Sequence, residues 1–359
     1  MAALELKDLG ENLWTPVASE AEALTDTDVR VRLGAFPPPG EYGLAEREQL
    51  AAQAASAAAR SGPDLATAAP AAVDWRSANG HDYLGPVRDQ GSCGSCVAFG
   101  SIAAIEGSTR VAAKKHDLAF DLSEAHLFYC HGAAEGRNCG NGWWPSKALD
   151  SAKSKGIVDE ACFPYTAGNQ ACKTCADATS RTTKIKTWTS LTTAATMKSW
   201  IAEKGPVSAC FTVYEDFRYY KSGVYHHVSG AQLGGHCVCI VGYSDVDKCW
   251  IARNSWGSAW GEAGYFRIGY GEVGIDYEMW GVEVDVKPVD GDVVKVEKTL
   301  ITGLWVNADA RSAQCFVDNV GWRKLTTPDF VTAAAAARVS KALCTLSIKG
   351  DTIVELYVL

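Results

Sequence analysis

The sequence lacks the features that would place the chain in a membrane or on nucleic acid. No apolar run approaches the roughly 18 residues of a membrane span. No block of basic residues interrupts a chain whose formal net charge is -8. The first residues, MAALELKDLGENLW, do not set a basic region before an apolar stretch, so no signal peptide is predicted. We therefore expect no membrane span and no nucleic-acid partner.

Cysteine, by contrast, is abundant. The 359 residues include 13 cysteines, a high and odd number that indicates several disulfides and at least one free thiol. Because disulfides persist in oxidising compartments, cysteine usage favours a secreted, periplasmic or lysosome-like location. The lack of a predicted signal peptide disagrees with such a location, so the sequence does not determine the compartment. With 47% hydrophobic and 21% charged residues, the chain is globular and not disordered.

Composition divides the chain into three parts. Residues 1–72 form an acidic leader with eleven acidic and five basic residues, an amphipathic stretch from Leu44 to about Arg60, and an Ala/Pro joint, SGPDLATAAPAA. A disordered tail is the alternative interpretation of the leader. Residues 73–288 begin with a helical run and end with strands such as VCIVGY, CWIARNSWG and GYFRIGY, a pattern that predicts an α+β fold of two subdomains.

Residues 289–359 form a third, β-rich piece. Strands are predicted in VVKVEKTLITGLWV, AQCFVDNVGW, LCTLSIKG and TIVELYVL, with one helix that starts at Thr327 as N-cap and Pro328. About 70 residues fold only marginally alone. A Cys315–Cys344 disulfide would add about 2–4 kcal/mol. The piece carries no catalytic pattern, so we interpret it as an interaction or stabilising module with an unknown partner.

The stretch GPVRDQGSCGSCVAFG, residues 85–100, has the features of a nucleophile site. Cys96 opens the helical run, with Ser95 or Gly94 as the cap, and a helix N-terminus stabilises a thiolate. The preceding glycines let the backbone turn sharply and approach a substrate. Gln90 offers side-chain N–H groups that, with the Cys96 N–H, form a two-donor oxyanion hole.

A thiolate nucleophile also needs a base and a group that orients it. His236 heads a predicted strand after two glycines, and Asn254 lies on the next strand, 18 positions later. A hairpin of that length brings the two side by side. Trp256 would then shield their hydrogen bond from water.

The motifs DQGSCGSC, GHCVCIVGY and RNSWGSAWGEAGYFRI resemble the three signatures of papain-like cysteine proteases. In that family the His and Asn follow the nucleophile by about 130–150 residues. Here they follow Cys96 by 140 and 158 positions. The resemblance covers about 73–288. It implies a helical left half, a β-barrel-like right half and an active-site cleft between them.

The resemblance implies four catalytic roles. Cys96 would be the nucleophile, His236 the general base and acid, Asn254 the orienting residue and Gln90 the oxyanion donor. One departure is Val97, where the family usually has Trp after the nucleophile. Another is Val273, which stands where a cysteine of the family's right-domain disulfide is common. The leader also lacks the long helical motif of the main family propeptides.

The resemblance also implies a substrate cleft. Trp143, which follows Gly142, forms either cleft wall or plain core, and we favour the wall. Glu278, the last residue of GIDYE, matches the bottom of the second substrate pocket, although a surface acid is the alternative. A carboxylate there would accept Arg or Lys, besides hydrophobic side chains, on the residue two before the scissile bond. The residues expected to bind substrate are Gly142, Trp143, Cys210, Gly234, Gly235, Trp256 and Glu278.

The remaining cysteines and histidines receive structural interpretations. In the family the cysteine three before the nucleophile is disulfide-bonded, which implies a Cys93–Cys139 bond here. A second predicted bond joins Cys130 to Cys172, whereas Cys162 and Cys175 are candidates whose pairing the sequence leaves open. His226 and His227 could be a metal pair, but a loop pair is favoured because no further ligand stands at suitable spacing. Buried free thiols are expected at Cys210, Cys237, Cys239 and Cys249.

The resulting hypothesis is a cysteine endopeptidase made as a zymogen. Its partners would be protein or peptide substrates and its own leader as an intramolecular inhibitor, cut near Ala69–Ala72; no metal or other cofactor is expected. A transpeptidase or ligase would use the same acyl-enzyme. A silent binding module would usually lack one of the four catalytic residues. An exopeptidase would need an insertion that blocks one end of the cleft, and none is evident.

Overall fold

Helical and alternating patterns produce their expected elements in the computed structural model, which describes residues 14–61, 69–285, 293–306, 313–318, 320–325, 327–349 and 352–359. The α-helices are α1 (Asp26–Arg30), α2 (Leu44–Ser61), α3 (Cys96–Ala113), α4 (Pro145–Ser154), α5 (Ala194–Glu203) and α6 (Pro328–Ser340). A π-helix spans His126–Gly132. Short 3-10 turns span Glu20–Glu22, Ala178–Arg181, Glu215–Tyr219 and Glu272–Gly274.

The strands comprise one main sheet, a second sheet near the C-terminus and one small pair. Within residues 14–285 they are β1 (Trp14–Pro16), β2 (Ala72–Asp74), β3 (Ile157–Val158), β4 (Thr182–Thr183), β5 (Thr187–Leu191), β6 (Val207–Tyr214), β7 (Tyr220–Tyr225), β8 (Gln232–Ser244), β9 (Cys249–Arg253), β10 (Tyr265–Gly269) and β11 (Met279–Glu283). The later strands are β12 (Val293–Thr299), β13 (Ile301–Val306), β14 (Ala313–Val317), β15 (Gly321–Leu325), β16 (Cys344–Lys349) and β17 (Thr352–Val358).

The chain divides into two compact units, residues 1–285 and 286–359. The leader therefore belongs to the same unit as the central part of the chain. Its helix α2 matches the amphipathic stretch predicted from Leu44 to about Arg60. Residues 14–61 fold against the rest of the unit, which disagrees with a disordered tail for that part of the leader. No helix in the described parts of the chain is long and apolar enough to cross a bilayer.

The first unit is organised around a sheet in the order β1-β7-β10-β9-β8-β6-β11-β5, with β2 also paired to β8. Its central strand β8 packs against helix α3 at Gly100, whose missing side chain leaves room for Cys237. A Cβ on Gly100 would lie 2.9 Å from the Cys237 sulfur. This contact brings the start of α3, and hence Cys96, next to the strand that carries His236.

Three disulfides hold the helical side of this unit. They join Cys93 to Cys139 and Cys130 to Cys172, as predicted, and Cys162 to Cys175, whose pairing the sequence left open. The Cys93–Cys139 bond lies directly before α3. It therefore fixes the loop that carries Cys96 to the segment that leads into Trp143.

The leader is tied down at both ends of its described part. At its start, β1 pairs antiparallel with β7. Most of the predicted Ala/Pro joint, residues 62–68, lies outside the described residues. The last residues of the joint are hydrogen-bonded to the end of β8 and the residue after it. The backbone N–H of Asp245 donates to the Ala71 carbonyl, and the Tyr243 hydroxyl donates to that of Pro70. A cut in this part of the joint would have to break these bonds.

The second unit has a six-stranded sheet in the order β12-β16-β17-β15-β14-β13, with helix α6 against it. Thr327 caps α6 by accepting a hydrogen bond from the Phe330 N–H, as predicted. The predicted Cys315–Cys344 disulfide is wrong, because both thiols are free and buried. Cys315 lies on β14 and Cys344 on β16, and two strands lie between them. Neighbouring strands are about 4.8 Å apart, so this separation greatly exceeds the Cα spacing of a disulfide.

The cysteine arrangement predicts the outcome of thiol counting. Alkylation of the denatured, unreduced chain should label the seven free cysteines and leave the six disulfide-bonded ones unlabelled, as peptide mapping by mass spectrometry would show. Alkylation after reduction should label all 13 and serves as the control. A linked pair of peptides that contain Cys315 and Cys344 would contradict the structure.

Candidate active site

Cys96 stands at the first position of α3 and is completely buried. Ser95 is the N-cap residue but its hydroxyl does not cap the helix; it bonds instead to the Tyr165 hydroxyl at 2.8 Å. The Gly94 N–H donates to the Cys139 carbonyl at 3.0 Å. From the helix itself, the Val97 backbone N–H lies within hydrogen-bond reach of the Cys96 thiol.

Gln90 is held rigidly beside this helix start. Its backbone N–H donates to the Ser255 carbonyl at 2.9 Å, and its Oε1 accepts a bond from the Ser255 hydroxyl at 2.6 Å. Its Nε2 donates to the carbonyl of Cys93 at 2.7 Å and to that of Arg32 at 2.8 Å. Arg32 belongs to the leader, so the predicted oxyanion donor already donates a hydrogen bond to a leader carbonyl.

His236 and Asn254 form a buried hydrogen bond of 2.8 Å between Nε2 and Oδ1. Asn254 Oδ1 also accepts a bond from the Ser255 backbone N–H at 2.8 Å, which fixes the orientation of the amide. Nε2 of His236 must therefore carry the proton, and Nδ1 keeps its lone pair. Nδ1 is buried and has no hydrogen-bond partner among the described residues.

Two details of the predicted hairpin differ. His236 lies five residues into β8 instead of at its head, and Asn254 follows the last residue of β9. The pairing still brings the two together because β8 and β9 run antiparallel. Trp256 covers the His236 ring at a centroid distance of 4.9 Å, so the imidazole is excluded from water on that side.

Burial keeps the thiol and the imidazole uncharged in this structure. It raises the pKa of the Cys96 thiol far above its ordinary range, although nearby N–H groups of Gly34, Val97 and Cys237 favour the thiolate. Burial also lowers the pKa of His236 to about 4, against the opposing effect of the Asn254 hydrogen bond. At neutral pH both groups are therefore neutral while the leader covers them.

Leader residues 32–36 run between the two walls around Cys96. On one wall, Trp143 donates its N–H to the Gly34 carbonyl at 2.8 Å, and Phe36 donates to the Trp143 carbonyl at 3.1 Å. On the other wall, the N–H groups of Gly34 and Ala35 both approach the Gly235 carbonyl at 3.1 Å. The leader thus bonds to both walls in the manner of an added strand.

Glycines make this close approach feasible. A Cβ on Gly142 would overlap the Gly34 carbonyl oxygen, and one on Gly235 would overlap that of Ala35. A Cβ on Gly234 would lie 3.1 Å from the Leu33 side chain. Three of the residues predicted to bind substrate therefore contact the leader in this structure.

Trp143 has features of both predicted alternatives, core residue and cleft wall. Its ring is only 1% exposed and belongs to the core, while its backbone forms the cleft wall that bonds the leader. Cys210 is a buried free thiol opposite Cys237 on the paired strands β6 and β8. Val97, the residue in place of the usual Trp, is fully buried.

Glu278 is partly buried and is bonded to the leader. Its Oε2 pairs with the guanidinium of Arg47 at 2.9 Å, and its Oε1 accepts the Ser190 hydroxyl at 2.6 Å. The guanidinium carbon of Arg47 lies 4.7 Å from the ring centres of both Trp144 and Tyr277. Sequence reasoning missed both partners of Glu278, which are Arg47 and Ser190. The aromatic pair in NGWWP was the only local signal.

The histidine pair at His226 and His227 is bound to separate carboxylates. Nδ1 of His226 lies 2.9 Å from Glu272, and Nδ1 of His227 lies 3.2 Å from Asp216. Within the described ranges, no three His, Cys, Asp or Glu side chains are grouped as a metal site requires. These contacts favour the loop interpretation.

The geometry agrees with comparisons to known proteins. A family model described as papain family cysteine protease matches residues 69–283. Cathepsin B-like CP3 of Giardia intestinalis is 40% identical over 225 residues, which are 59% of this chain and 73% of that protein. Thiol protease aleurain of Arabidopsis thaliana is 36% identical over 229 residues, or 62% of each chain.

Solved structures of pro-forms show the same fold. Procathepsin B S9 from Trypanosoma congolense aligns with a TM-score of 0.62 and 24% identity, and covers 79% of this chain and 97% of its own. The digestive procathepsin L2 proteinase from Tenebrio molitor larval midgut gives 0.61 and 26% identity, over 78% of this chain and 87% of its own. The α+β fold expected from the sequence is confirmed.

The His236–Asn254 bond predicts the effect of one substitution. Asn254→Ala in the leader-free form should lower kcat/KM for peptide hydrolysis about ten- to a hundredfold, because a hydrogen bond to a charged group contributes about 1.5–3 kcal/mol. Asn169→Ala, which alters an exposed amide bonded to the Cys139 N–H, should leave kcat/KM unchanged. Unchanged hydrolysis by a folded Asn254→Ala protein would contradict the orienting role.

Proposed function

The chain belongs to the papain family of cysteine proteases, and from that premise we propose that it is an endopeptidase made as a zymogen. Its leader, residues 1–72, would hold the enzyme inactive until it is removed. The observation that carries this proposal is the bond from Gln90 Nε2 to the Arg32 carbonyl, with the leader lying across Cys96. Protein or peptide substrates would enter the same cleft after the leader leaves.

The arrangement supports acyl transfer in two stages. Nδ1 of His236 accepts the Cys96 proton, and the thiolate attacks the carbonyl carbon of the scissile bond. The oxyanion receives hydrogen bonds from Gln90 Nε2 and the Cys96 N–H. His236 then protonates the leaving amine nitrogen. In the second stage His236 takes a proton from water, whose oxygen attacks the thioester carbonyl and releases the thiolate.

The bound leader does not present a bond for cleavage in this way. The carbonyl at the Gln90 donor is that of Arg32, whereas the group that faces the Cys96 sulfur is the N–H of Gly34. A productive substrate needs its scissile carbonyl carbon at the sulfur and that same carbonyl's oxygen at the donors. In the leader, Arg32 accepts the hydrogen bond from Gln90, whereas a different residue, Gly34, lies at the Cys96 sulfur. This geometry supports inhibition instead of hydrolysis.

The second substrate pocket is proposed to accept Arg or Lys as well as hydrophobic side chains. The support is Arg47 of the leader, whose guanidinium pairs with Glu278 in this pocket. With the leader in place the side chain of Glu278 is 18% exposed, so its ion pair with Arg47 is only partly screened by solvent.

The leader's blocking role predicts a gain of activity on one substitution. A Cβ on Gly34 would overlap the Gly94 carbonyl oxygen, so Gly34→Ala should push the leader from the cleft. We expect the uncleaved Gly34→Ala chain to hydrolyse a fluorogenic peptide at least about tenfold faster than the uncleaved natural chain. Gly43→Ala is the matched leader control, because its Cβ would meet only Glu46 Oε2, at 3.6 Å. Equal rates for the two folded variants would refute the blocking role.

A second prediction concerns Glu278. Glu278→Ala in the leader-free form should lower kcat/KM about tenfold for substrates with Arg two residues before the scissile bond, because the carboxylate that would pair with the guanidinium is lost. Phe substrates should be affected little. Glu283→Ala is the control, because the Glu283 side chain forms surface ion pairs with Lys186 and Lys204, and such pairs contribute little. If Glu278→Ala lowered kcat/KM by a similar factor for Arg and Phe substrates, the assignment of Glu278 to the second substrate pocket would be wrong.

A further inference from the structure

Two free thiols lie directly behind Cys96 and take no part in the chemistry described above. Cys237 follows His236 on β8, and Cys210 lies opposite Cys237 on the neighbouring strand β6. All three cysteines are free and belong to one buried apolar cluster. A thiol beside a reactive cysteine can capture the oxidised form of that cysteine as a disulfide.

Cys237 contacts both Cys96 and the next turn of α3. Its backbone N–H is hydrogen-bonded to the Cys96 sulfur, which places the two residues side by side. Its own sulfur lies 2.9 Å from the position that a Cβ on Gly100 would take. Residues four apart on a helix have Cβ positions about 5–6 Å apart on one face, so the Cys96 side chain stands one turn from the Cys237 sulfur. A bond between the two sulfurs then requires rotation of the two side chains.

The register of the sheet brings Cys210 even closer to Cys237. Residues directly opposite in an antiparallel pair have Cα atoms about 4.5 or 5.5 Å apart. Both values fall within the Cα spacing of about 4.4–6.8 Å that a disulfide needs. The two thiols are also within hydrogen-bond reach of each other. A disulfide between them therefore needs no movement of the strands.

The three thiols differ in their reactivity towards an oxidant. Burial raises the pKa of the Cys210 thiol and that of the Cys237 thiol, so neither forms the thiolate that attacks a peroxide. Of the three, only Cys96 stands at a helix N-terminus, which stabilises a thiolate once the leader leaves. We therefore expect an oxidant to react first at Cys96.

We propose that Cys237 and Cys210 form a thiol relay that returns the oxidised Cys96 to its active form. The inference rests on the proposed function, because it needs the Cys96 thiolate of the leader-free enzyme. A hydroperoxide converts that thiolate to a sulfenic acid, Cys237 captures it as a disulfide, and Cys210 releases Cys96 from that disulfide. The final product is a Cys210–Cys237 disulfide, and Cys96 is free to act on a substrate again.

With hydrogen peroxide, each step of the relay balances. The Cys96 thiolate attacks one peroxide oxygen, the O–O bond breaks, and the leaving hydroxide takes the His236 proton to form water. The Cys237 sulfur then bonds to the Cys96 sulfur, the S–O bond breaks, and the hydroxyl leaves with the Cys237 proton as a second water. Cys210 finally attacks the Cys237 sulfur, gives its proton to His236 Nδ1 and releases the Cys96 thiolate. Two thiols and one peroxide thus yield one disulfide and two waters.

The positions of the three sulfurs determine the direction of the last step. Cys237 contacts both other cysteines, so its sulfur is the one that Cys210 reaches. Thiol–disulfide exchange is faster when the leaving thiolate is the more stable one. The Cys96 thiolate is stabilised by the N–H groups of Val97 and Cys237, which makes Cys96 the leaving group.

The relay is tested on protein whose leader is cut after folding, at a protease site introduced within residues 62–68, and then removed. One molar equivalent of hydrogen peroxide is added, followed by catalase, alkylation and peptide mapping with fragmentation that separates Cys237 from Cys239. The natural protein should contain a linked Cys210–Cys237 pair and keep most of its peptide hydrolysis. The Cys96→Ala protein should not form the pair, because the relay begins at Cys96.

Two variants interrupt the relay at different steps. Cys210→Ala should stop at a Cys96–Cys237 disulfide, so peptide hydrolysis should fall at least about tenfold and return with dithiothreitol. Cys237→Ala should leave the sulfenic acid on Cys96, where dimedone labels it. Cys249→Ala removes a buried free thiol on β9 and is the matched control, which should behave as the natural protein does. Each rate is compared with that of the same variant before oxidation.

Two results would overturn the relay. One is a Cys210–Cys237 pair that forms to the same extent in Cys96→Ala, because the pair would then be oxidised without Cys96. The other is natural protein in which Cys96 is oxidised and no linked pair appears. If no peptide is hydrolysed before oxidation but the pair forms only when Cys96 is present, the proposed function fails and the relay stands. If peptides are hydrolysed and peroxide oxidises Cys96 without a linked pair, the relay fails and the proposed function stands.

Discussion

The whole arrangement depends on one close approach, that of the leader backbone at residues 32–36 to two walls made largely of glycine backbone. Gly94 and Gly142 stand on the side of α3, and Gly235 stands on β8. Because none of them carries a Cβ, the leader can bond to both walls like an added strand. The same absence of side chains would leave room for a substrate backbone once the leader has gone. Binding of the leader and binding of a substrate therefore both require glycine at these positions.

The catalytic thiol and imidazole are uncharged beneath this cover. With the leader in place, burial keeps the Cys96 thiol protonated and holds His236 neutral above a pKa of about 4. The helix N-terminus and the Asn254 bond both favour the charged pair, but they act against a larger cost of desolvation. In the proposed zymogen, one segment therefore blocks substrate entry, occupies the Gln90 donor and suppresses the ion pair that the chemistry requires. Arg47 adds a separate hold at the second pocket through Glu278.

The structural elements and site residues that could be predicted from the sequence are those that a short local pattern specifies. The periodicity after Cys96 predicts α3, and the GGH motif singles out His236, which lies inside β8 and is brought to Asn254 by the pairing of β8 with β9. The parts it missed depend on contacts between distant segments. Arg47 and Glu278 are 231 positions apart, and nothing near either residue indicates the other. Cys315 and Cys344 were predicted to pair because both lie in predicted strands of the same small unit, but the order of the strands in the sheet separates them.

The central claim is that the leader covers a competent Cys96, and active-site labelling tests it most directly. A peptide epoxide would be applied to the full-length chain and to a chain cut at a site-specific protease sequence introduced within residues 62–68, followed by removal of the leader and peptide mapping. The account predicts label on Cys96 only after the leader is removed. Equal labelling of Cys96 in both forms would contradict the blocking role, and no label in either would contradict the assignment of Cys96 as the nucleophile.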